Sequence, residues 1–225
     1  MQRGWLQRLF WRASLGDHAF RFLFEGGPPG EVVSLDCETT GLDPRKDEIL
    51  AVAAVPVRGN RILLSERFEA VVRPEVREAS AESIKVHRLR RRDVAGALPM
   101  RRVLPDLLRF IGGRPLVGYY IDFDLRMLDR YTLDLLETKL PNRRIEVSVL
   151  YYDRKYGDAP PGTSFDLRFA TMLADLGIPP LEQHVALNDA VMAAMAYLAL
   201  RDMKRRGVRI RRDRAGQGPL PPTGG

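Results

Sequence analysis

The chain has 225 residues, 45% of them hydrophobic, enough to bury one sizeable core and carry short extensions. Its one cysteine, Cys37, excludes an internal disulfide and most zinc clusters, while the lack of any run of about 18 apolar residues argues against a membrane-spanning helix. The net charge of +7 is concentrated late: Arg201 to Arg214 holds eight basic and two acidic residues, whereas Glu31 to Leu200 holds 24 basic and 25 acidic ones.

A cytoplasmic setting is the default for such a composition, since no start segment has the order of a secretory signal. Residues 1 to 16 are free of acids and contain Arg3, Arg8 and Arg12, which also suits a mitochondrial transit peptide. In the same stretch Trp5, Leu6, Leu9, Phe10 and Leu15 form an amphipathic helical pattern that ends before Gly26-Gly27-Pro28-Pro29-Gly30. Residues 1–30 are therefore expected to be an N-terminal helix and linker, the helix docking on its own domain or serving a partner.

From Glu31 the pattern turns to strands at Val32 to Asp36, Ile49 to Val57 and Arg61 to Val72, with Gly59-Asn60 as a hairpin turn, so three antiparallel strands are predicted. Helices are predicted at Leu104 to Ile111, Phe123 to Glu137, Phe165 to Leu176 and Leu187 to Arg205, the last stopped by Gly207. The apolar runs Leu116-Val117-Gly118 and Ile145-Glu146-Val147 between them read as parallel strands added by helical crossovers. The whole is an α/β domain over 31–206, followed at 207–225 by a basic stretch and a Gly- and Pro-rich tail expected to be disordered.

Three places carry candidate chemistry. Asp36 and Glu38 stand two apart on a strand and so share a face, where two carboxylates can hold one cation. Asp124, or equally Asp122, lies just past the run Leu116 to Gly118 at the start of a helix, where an aspartate also serves as a cap. His184 precedes Asp189 by five residues at the head of the long helix, where an aspartate also answers the helix dipole. Two Mg²⁺ or Mn²⁺ ions engaged in phosphodiester hydrolysis need several hard oxygen ligands, and a histidine titrates in the range of a general base.

The stretch Asp36-Cys37-Glu38-Thr39-Thr40-Gly41 resembles the first motif of the DnaQ-like, DEDDh exonucleases, the group that includes the proofreading epsilon subunit of bacterial DNA polymerase III. Leu116-Val117-Gly118 leading to Phe123-Asp124 resembles the second motif, and His184 to Asp189 the third. The resemblance covers about Glu31 to Met203 and implies a ribonuclease-H-like, mixed five-stranded sheet flanked by helices. It selects Asp124 over Asp122, makes Asp36, Glu38, Asp124 and Asp189 the metal ligands, and makes His184 the general base. It also implies that Thr39, Thr40, Leu42, Val86, His87 and Phe123 hold the terminal nucleotide, where Val86 and Leu42 have core packing as the alternative.

Two departures from the family pattern bear on substrate. Tyr119-Tyr120 stands where His-Asn is usual after the glycine, and Arg88-Leu89 where Gly-Ile is usual after the pocket histidine. The cluster Lys85, Arg88, Arg90, Arg91, Arg92, Arg101 and Arg102 either follows a phosphate backbone or is a solvated surface. The expected activity is 3′-to-5′ removal of nucleoside monophosphates from single-stranded or frayed DNA. The alternatives are an exoribonuclease of the same mechanism and, from a different class, a catalytically decayed nucleic-acid- or polymerase-binding module. A polymerase or a second copy of the chain is the expected protein partner.

Overall fold

The computed structural model describes residues 10–76, 89 and 91–212. The sheet has six strands: β1 (Glu31–Thr39), β2 (Ile49–Arg58), β3 (Arg61–Ile62), β4 (Phe68–Val71), β5 (Leu116–Gly118) and β6 (Arg144–Glu146). Their order is β3-β2-β1-β5-β6, with β4 also on β2. β1 pairs antiparallel with β2 and parallel with β5, and β5 pairs parallel with β6. The helices are α1 (Arg91–Val94), α2 (Met100–Ile111), α3 (Ile121–Leu136), α4 (Val147–Tyr156), α5 (Phe169–Asp175) and α6 (Ala186–Arg206).

The third predicted strand, Arg61 to Val72, is in fact two. β3 pairs with Val57 and Arg58, β4 pairs with Ala51 to Ala54, and a 3-10 turn at Leu64–Glu66 separates them. The break falls opposite Pro56, which has no N–H to give a third strand; only its carbonyl is used, accepting from the Leu63 N–H at 2.9 Å. With the third strand so divided, the mixed sheet expected from the sequence counts six strands among the described residues.

Two of the other boundaries that differ have a visible cause. The segment read as a strand over Ile145 to Val147 ends at Glu146, and Val147 opens α4, a helix that the β-branched and aromatic run Val-Ser-Val-Leu-Tyr-Tyr concealed. Glu146 stops the strand by capping: its Oε1 accepts from the Ser148 N–H at 3.0 Å. Phe165 to Arg168 stay out of α5, because the Asp166 carboxylate takes the Arg168 N–H and the Thr171 hydroxyl, an alternative to helical bonding.

Alternation along β1 divides the protein into two layers. Val33, Leu35 and Cys37 face a core shared with α2 and α3, while Val32 and the even positions face α4 and α6. The segment before Gly26 belongs to the first layer: Leu15, Phe20 and Leu23 are buried in the same core. The outer part of the predicted N-terminal helix, the basic residues Lys85, Arg88 and Arg90, and the tail from residue 213 lie outside the described residues. No helix among the described residues is long and apolar enough to cross a membrane.

Candidate active site

β1 carries Asp36 and Glu38 on the face covered by α6, whose first turn presents Asp189. One ligand oxygen from each of these three carboxylates lies within 4.8 Å of the others. Glu38 sits at an irregularity of the β1–β2 pairing, where its neighbours pass from Ala51 to Ile49 and Leu50 is skipped. Such a bulge turns the end of a strand and re-aims its side chains.

Asp124 reaches the same end of β1 from the opposite layer. It lies in the first turn of α3, 4% exposed, and its Oδ1 accepts from the Cys37 N–H at 3.0 Å. The alternative aspartate, Asp122, is instead exposed and paired with Arg144. The structure thus groups Asp36, Glu38 and Asp189 most tightly and fixes Asp124 beside them through the main chain of Cys37.

The electrostatics follow from this crowding. Burial, then the charges of Asp124, Asp189 and Glu38, raise the Asp36 carboxyl well above the usual range. Burial and the neighbouring Asp189 push Glu38 up to about 7. Asp124 is raised mainly by burial, with the Cys37 N–H opposing and Glu38 and Glu146 adding to the rise. Asp189 is raised by burial and partly relieved by His184. Desolvated like charges of this kind call for a countercharge.

A hard divalent cation fits. All the donors are carboxylate oxygens, and Asp189 Oδ1 is buried with no hydrogen-bond partner among the described residues, a lone acceptor in need of a positive group. Cys37 does not compete, since burial and the surrounding acids raise its thiol well above normal and keep it from forming a thiolate.

His184 occupies the loop ahead of α6. It is exposed, has a left-handed backbone with φ 62°, and donates its N–H to Asp189 Oδ2 at 2.8 Å. That bond orients the Asp189 carboxylate from outside while leaving the imidazole in solvent. The remaining sequence candidates divide. Leu42 is 85% exposed, so core packing does not account for it, and Phe123 is half-buried against the first core. Thr39 donates its hydroxyl to the Gly41 carbonyl at 2.7 Å. Thr40 is buried, its hydroxyl between Asp47 Oδ1 at 3.3 Å and the Glu48 N–H at 3.0 Å. Val86 and His87 lie outside the described residues.

Residues with no motif or spacing to mark them brace this end of the sheet. Asp47 Oδ2 accepts from the Asp43 N–H at 2.8 Å, and a side chain at Gly41 would come within 2.5 Å of that oxygen. Arg130 on α3 donates to the carbonyls of Asp47 at 2.6 Å and Pro44 at 3.3 Å. The Glu48 carboxylate takes the N–H groups of Glu75 and Val76 at 2.9 and 2.7 Å. The tandem acids Asp47 and Glu48 are buried, and they accept from backbone N–H groups and, at Asp47, from the Thr40 hydroxyl.

A mixed sheet with acids gathered at the end of its central strand is a ribonuclease-H-like architecture. Residues 33–197 match the profile of the RNase_T exonucleases, and the chain belongs to that family. Among its relatives, the DNA polymerase III subunit epsilon of Aquifex aeolicus is 28% identical over 169 residues, covering 68% of this chain and 82% of that protein. An epsilon-like protein of Rhodobacter capsulatus is 35% identical over 75% of this chain and 23% of its own length. The PolC-type DNA polymerase III of Thermotoga maritima is 28% identical over 77% of this chain, which spans only 12% of that protein.

Solved structures agree on the fold. E. coli exonuclease I in complex with a dA16 oligonucleotide superposes with a TM-score of 0.66 at 14% identity, covering 79% of this chain and 42% of that one. Exonuclease X in complex with 5′ overhanging duplex DNA gives a TM-score of 0.57 at 21% identity, covering 80% and 95% of the two chains.

Proposed function

We propose that this chain is a 3′-to-5′ exonuclease of the DEDDh type, releasing nucleoside monophosphates from single-stranded or frayed DNA. The observation that carries this reading is the convergence of Asp36, Glu38 and Asp189 within 4.8 Å, with Asp124 anchored on the Cys37 N–H and His184 bound to Asp189. Asp36, Glu38, Asp124 and Asp189 would hold two Mg²⁺ or Mn²⁺ ions. Ions so placed offset phosphate charge and acidify the attacking water.

The chain's own residues supply the rest. His184, exposed at the rim, takes the proton of the attacking water and passes it to solvent, a role typically worth roughly 10²–10⁴ in rate. Its N–H bond to Asp189 ties the base to the carboxylate cluster, so proton removal and phosphate binding share one geometry. Exposed Leu42 and half-buried Phe123 border the end of the sheet, where they can contact the terminal nucleotide, and the Thr39–Gly41 bond shapes the chain between them and Glu38. The relatives named as polymerase subunits support a polymerase partner for this domain.

The test is a nuclease assay with Mg²⁺ or Mn²⁺ on 5′-labelled single-stranded DNA and matched RNA, comparing the wild type with Asp36→Ala and His184→Ala. Stepwise shortening from the 3′ end, strongly impaired in both variants and faster on DNA, is expected. Undiminished activity in Asp36→Ala overturns the site assignment. Binding without hydrolysis on either strand makes the chain a decayed module, and preference for RNA makes it an exoribonuclease.

A further inference from the structure

Tyr119-Tyr120, where the family pattern has His-Asn, finds a use in the structure. The two tyrosines behave differently. Tyr119 is half-buried, its ring stacked on Phe169 at 4.6 Å between centroids and 18° between planes, and its hydroxyl donates to the Leu167 carbonyl at 3.0 Å. Tyr120 lies against Tyr119, with centroids 4.4 Å apart, and is 57% exposed. Phe169, Tyr119 and Tyr120 thus form a run of three rings whose last member is open to solvent.

The backbone gives a second, independent indication. Tyr120 is the N-cap of α3, a position that favours Asn, Asp or Ser because a short side chain there can accept from the first turn. It makes no such bond and adopts a left-handed conformation, φ 54° and ψ 33°, which asparagine tolerates better than tyrosine. Glu146 from β6 makes up part of the loss by accepting the Ile121 N–H at 2.9 Å. The chain therefore keeps a locally unfavourable residue and a substitute cap, and an outlier held in place by its surroundings points to function rather than stability.

Its location says which function. Tyr120 stands one helical turn ahead of Asp124, about 6 Å along the helix axis at 1.5 Å per residue. On the loop tied to Tyr119 through Leu167, Phe165 is also 57% exposed and is backed edge-on by Tyr152 at 5.5 Å. Exposed rings backed by other rings are the form that base stacking takes, and Tyr120 stands on the helix that brings Asp124 to the proposed site. A partner protein or a second copy would also accept aromatic surface, but the position beside Asp124 favours the substrate strand.

We infer that Tyr120, held by Tyr119 and Phe169, is a stacking platform for one base of a single strand entering the site, and that Phe165 offers a second. The inference rests on the nuclease reading for its ligand. It assigns this chain a preference for unpaired, base-bearing strands with little regard to sequence, since every base has a face to stack.

The test uses the full chain and a 5′-fluorescein oligothymidylate, with Ca²⁺ in place of Mg²⁺ to read affinity alone. Tyr120→Asn should weaken binding on the order of 10-fold, the size of one base–aromatic stack, while Tyr120→Trp stays within about twofold. Because asparagine suits the cap, Tyr120→Asn should melt no lower than the wild type, which separates the loss from misfolding. Removing one base near the 3′ end should weaken the wild type by a similar factor and leave Tyr120→Asn little changed. With Mg²⁺, the loss should fall on KM rather than on kcat.

Equal affinity of wild type and Tyr120→Asn overturns the platform, as does a loss of self-association in place of oligonucleotide affinity. If the wild type binds in a Tyr120-dependent way but hydrolyses nothing with Mg²⁺ or Mn²⁺, the nuclease proposal fails and the platform stands. If it hydrolyses strands and Tyr120 makes no difference, the platform fails alone.

Discussion

The loops on the two sides of the carboxylate cluster are built differently. The one leaving β1, from Thr40 to Glu48, is cross-braced by the Asp47 carboxylate, the Thr40 hydroxyl and two hydrogen bonds from Arg130 on α3. The one entering α6, which carries His184, is exposed from Leu181 to Val185. Among its links to α6 are the His184 N–H bond to Asp189, a bond from the Asn188 amide to the Glu182 carbonyl, and a contact of the Leu181 N–H with Met192 Sδ. The four clustered acids stand on β1, α3 and α6, while His184, the proposed base, stands on an exposed loop. Ligand geometry tolerates little displacement, whereas a base that exchanges protons with water needs access to it.

The largest effect expected from breaking this contrast is at the cluster itself. Asp189→Asn keeps an oxygen for the His184 N–H but removes a charge from the proposed metal site, so activity should fall on the order of 10³-fold, several kcal/mol of transition-state stabilisation. The same change relieves repulsion on Glu38, so the metal-free variant should melt higher than the wild type. A calorimetric scan in EDTA beside the rate measurement checks both; a variant that loses activity and stability together would mean that Asp189 is a packing residue.

Next in size is the braced loop. Asp47→Ala leaves the Asp43 N–H and the Thr40 hydroxyl without their acceptor in a largely buried setting, a loss of roughly 1–3 kcal/mol. For a chain of this length that corresponds to roughly 2–4 °C in Tm for each kcal/mol. Arg130→Gln should give a smaller loss of stability and a higher KM, because the loop that carries Leu42 loses its ties to α3 at Pro44 and Asp47. Chemical denaturation and a substrate titration separate the two outcomes, and an unchanged KM would show that the brace does not serve the substrate.

Much of this was legible in the sequence, for identifiable reasons. A strand's period of two put Asp36 and Glu38 on one face, and the apolar run before them marked a central strand; the structure has both. Asp124 could not be told from Asp122 by spacing, since both sit in one helical turn, and the family resemblance selected it. What separates them physically is long-range: Cys37 lies 87 residues away and Arg144 lies 22. The braces Asp47 and Arg130 were illegible for the same reason, being 83 residues apart and bonded through main-chain carbonyls that leave no mark on residue type. The break in the third strand was latent in Pro56 of the neighbouring strand, and α4 was hidden by residues with strand propensity.

A further effect depends on pH. In metal-free protein Glu38 has its carboxyl raised to about 7, against an unfolded value near 4.3. Between those values the folded state binds more protons than the unfolded one, so stability is greatest on the acid side and falls as pH rises through the window. Asp36, Asp124 and Asp189 are raised too and act in the same direction. The Tm in EDTA should drop by several degrees from pH 5 to pH 8, and added Mg²⁺ should recover most of the loss at pH 8, since a ligand that binds only the folded state stabilises it. A Tm that rises over that window would show that the carboxylates are not crowded.

The smallest effect tests the loosely held side. Asn188→Ala removes the amide bond to the Glu182 carbonyl, an exposed contact, so stability should change by roughly 0.5 kcal/mol or less. Activity is the more telling measurement. The bond is one of the links between the His184 loop and α6, so its loss should increase motion of His184, the proposed base, while leaving Asp36, Glu38 and Asp124 in place. The expected result is a kcat lowered by about two- to fivefold, with metal affinity unchanged by isothermal titration, a small fraction of the roughly 10²–10⁴ that a general base contributes. A loss as large as that of His184→Ala would mean that the loop is positioned as strictly as the ligands, and the contrast between the two sides would disappear.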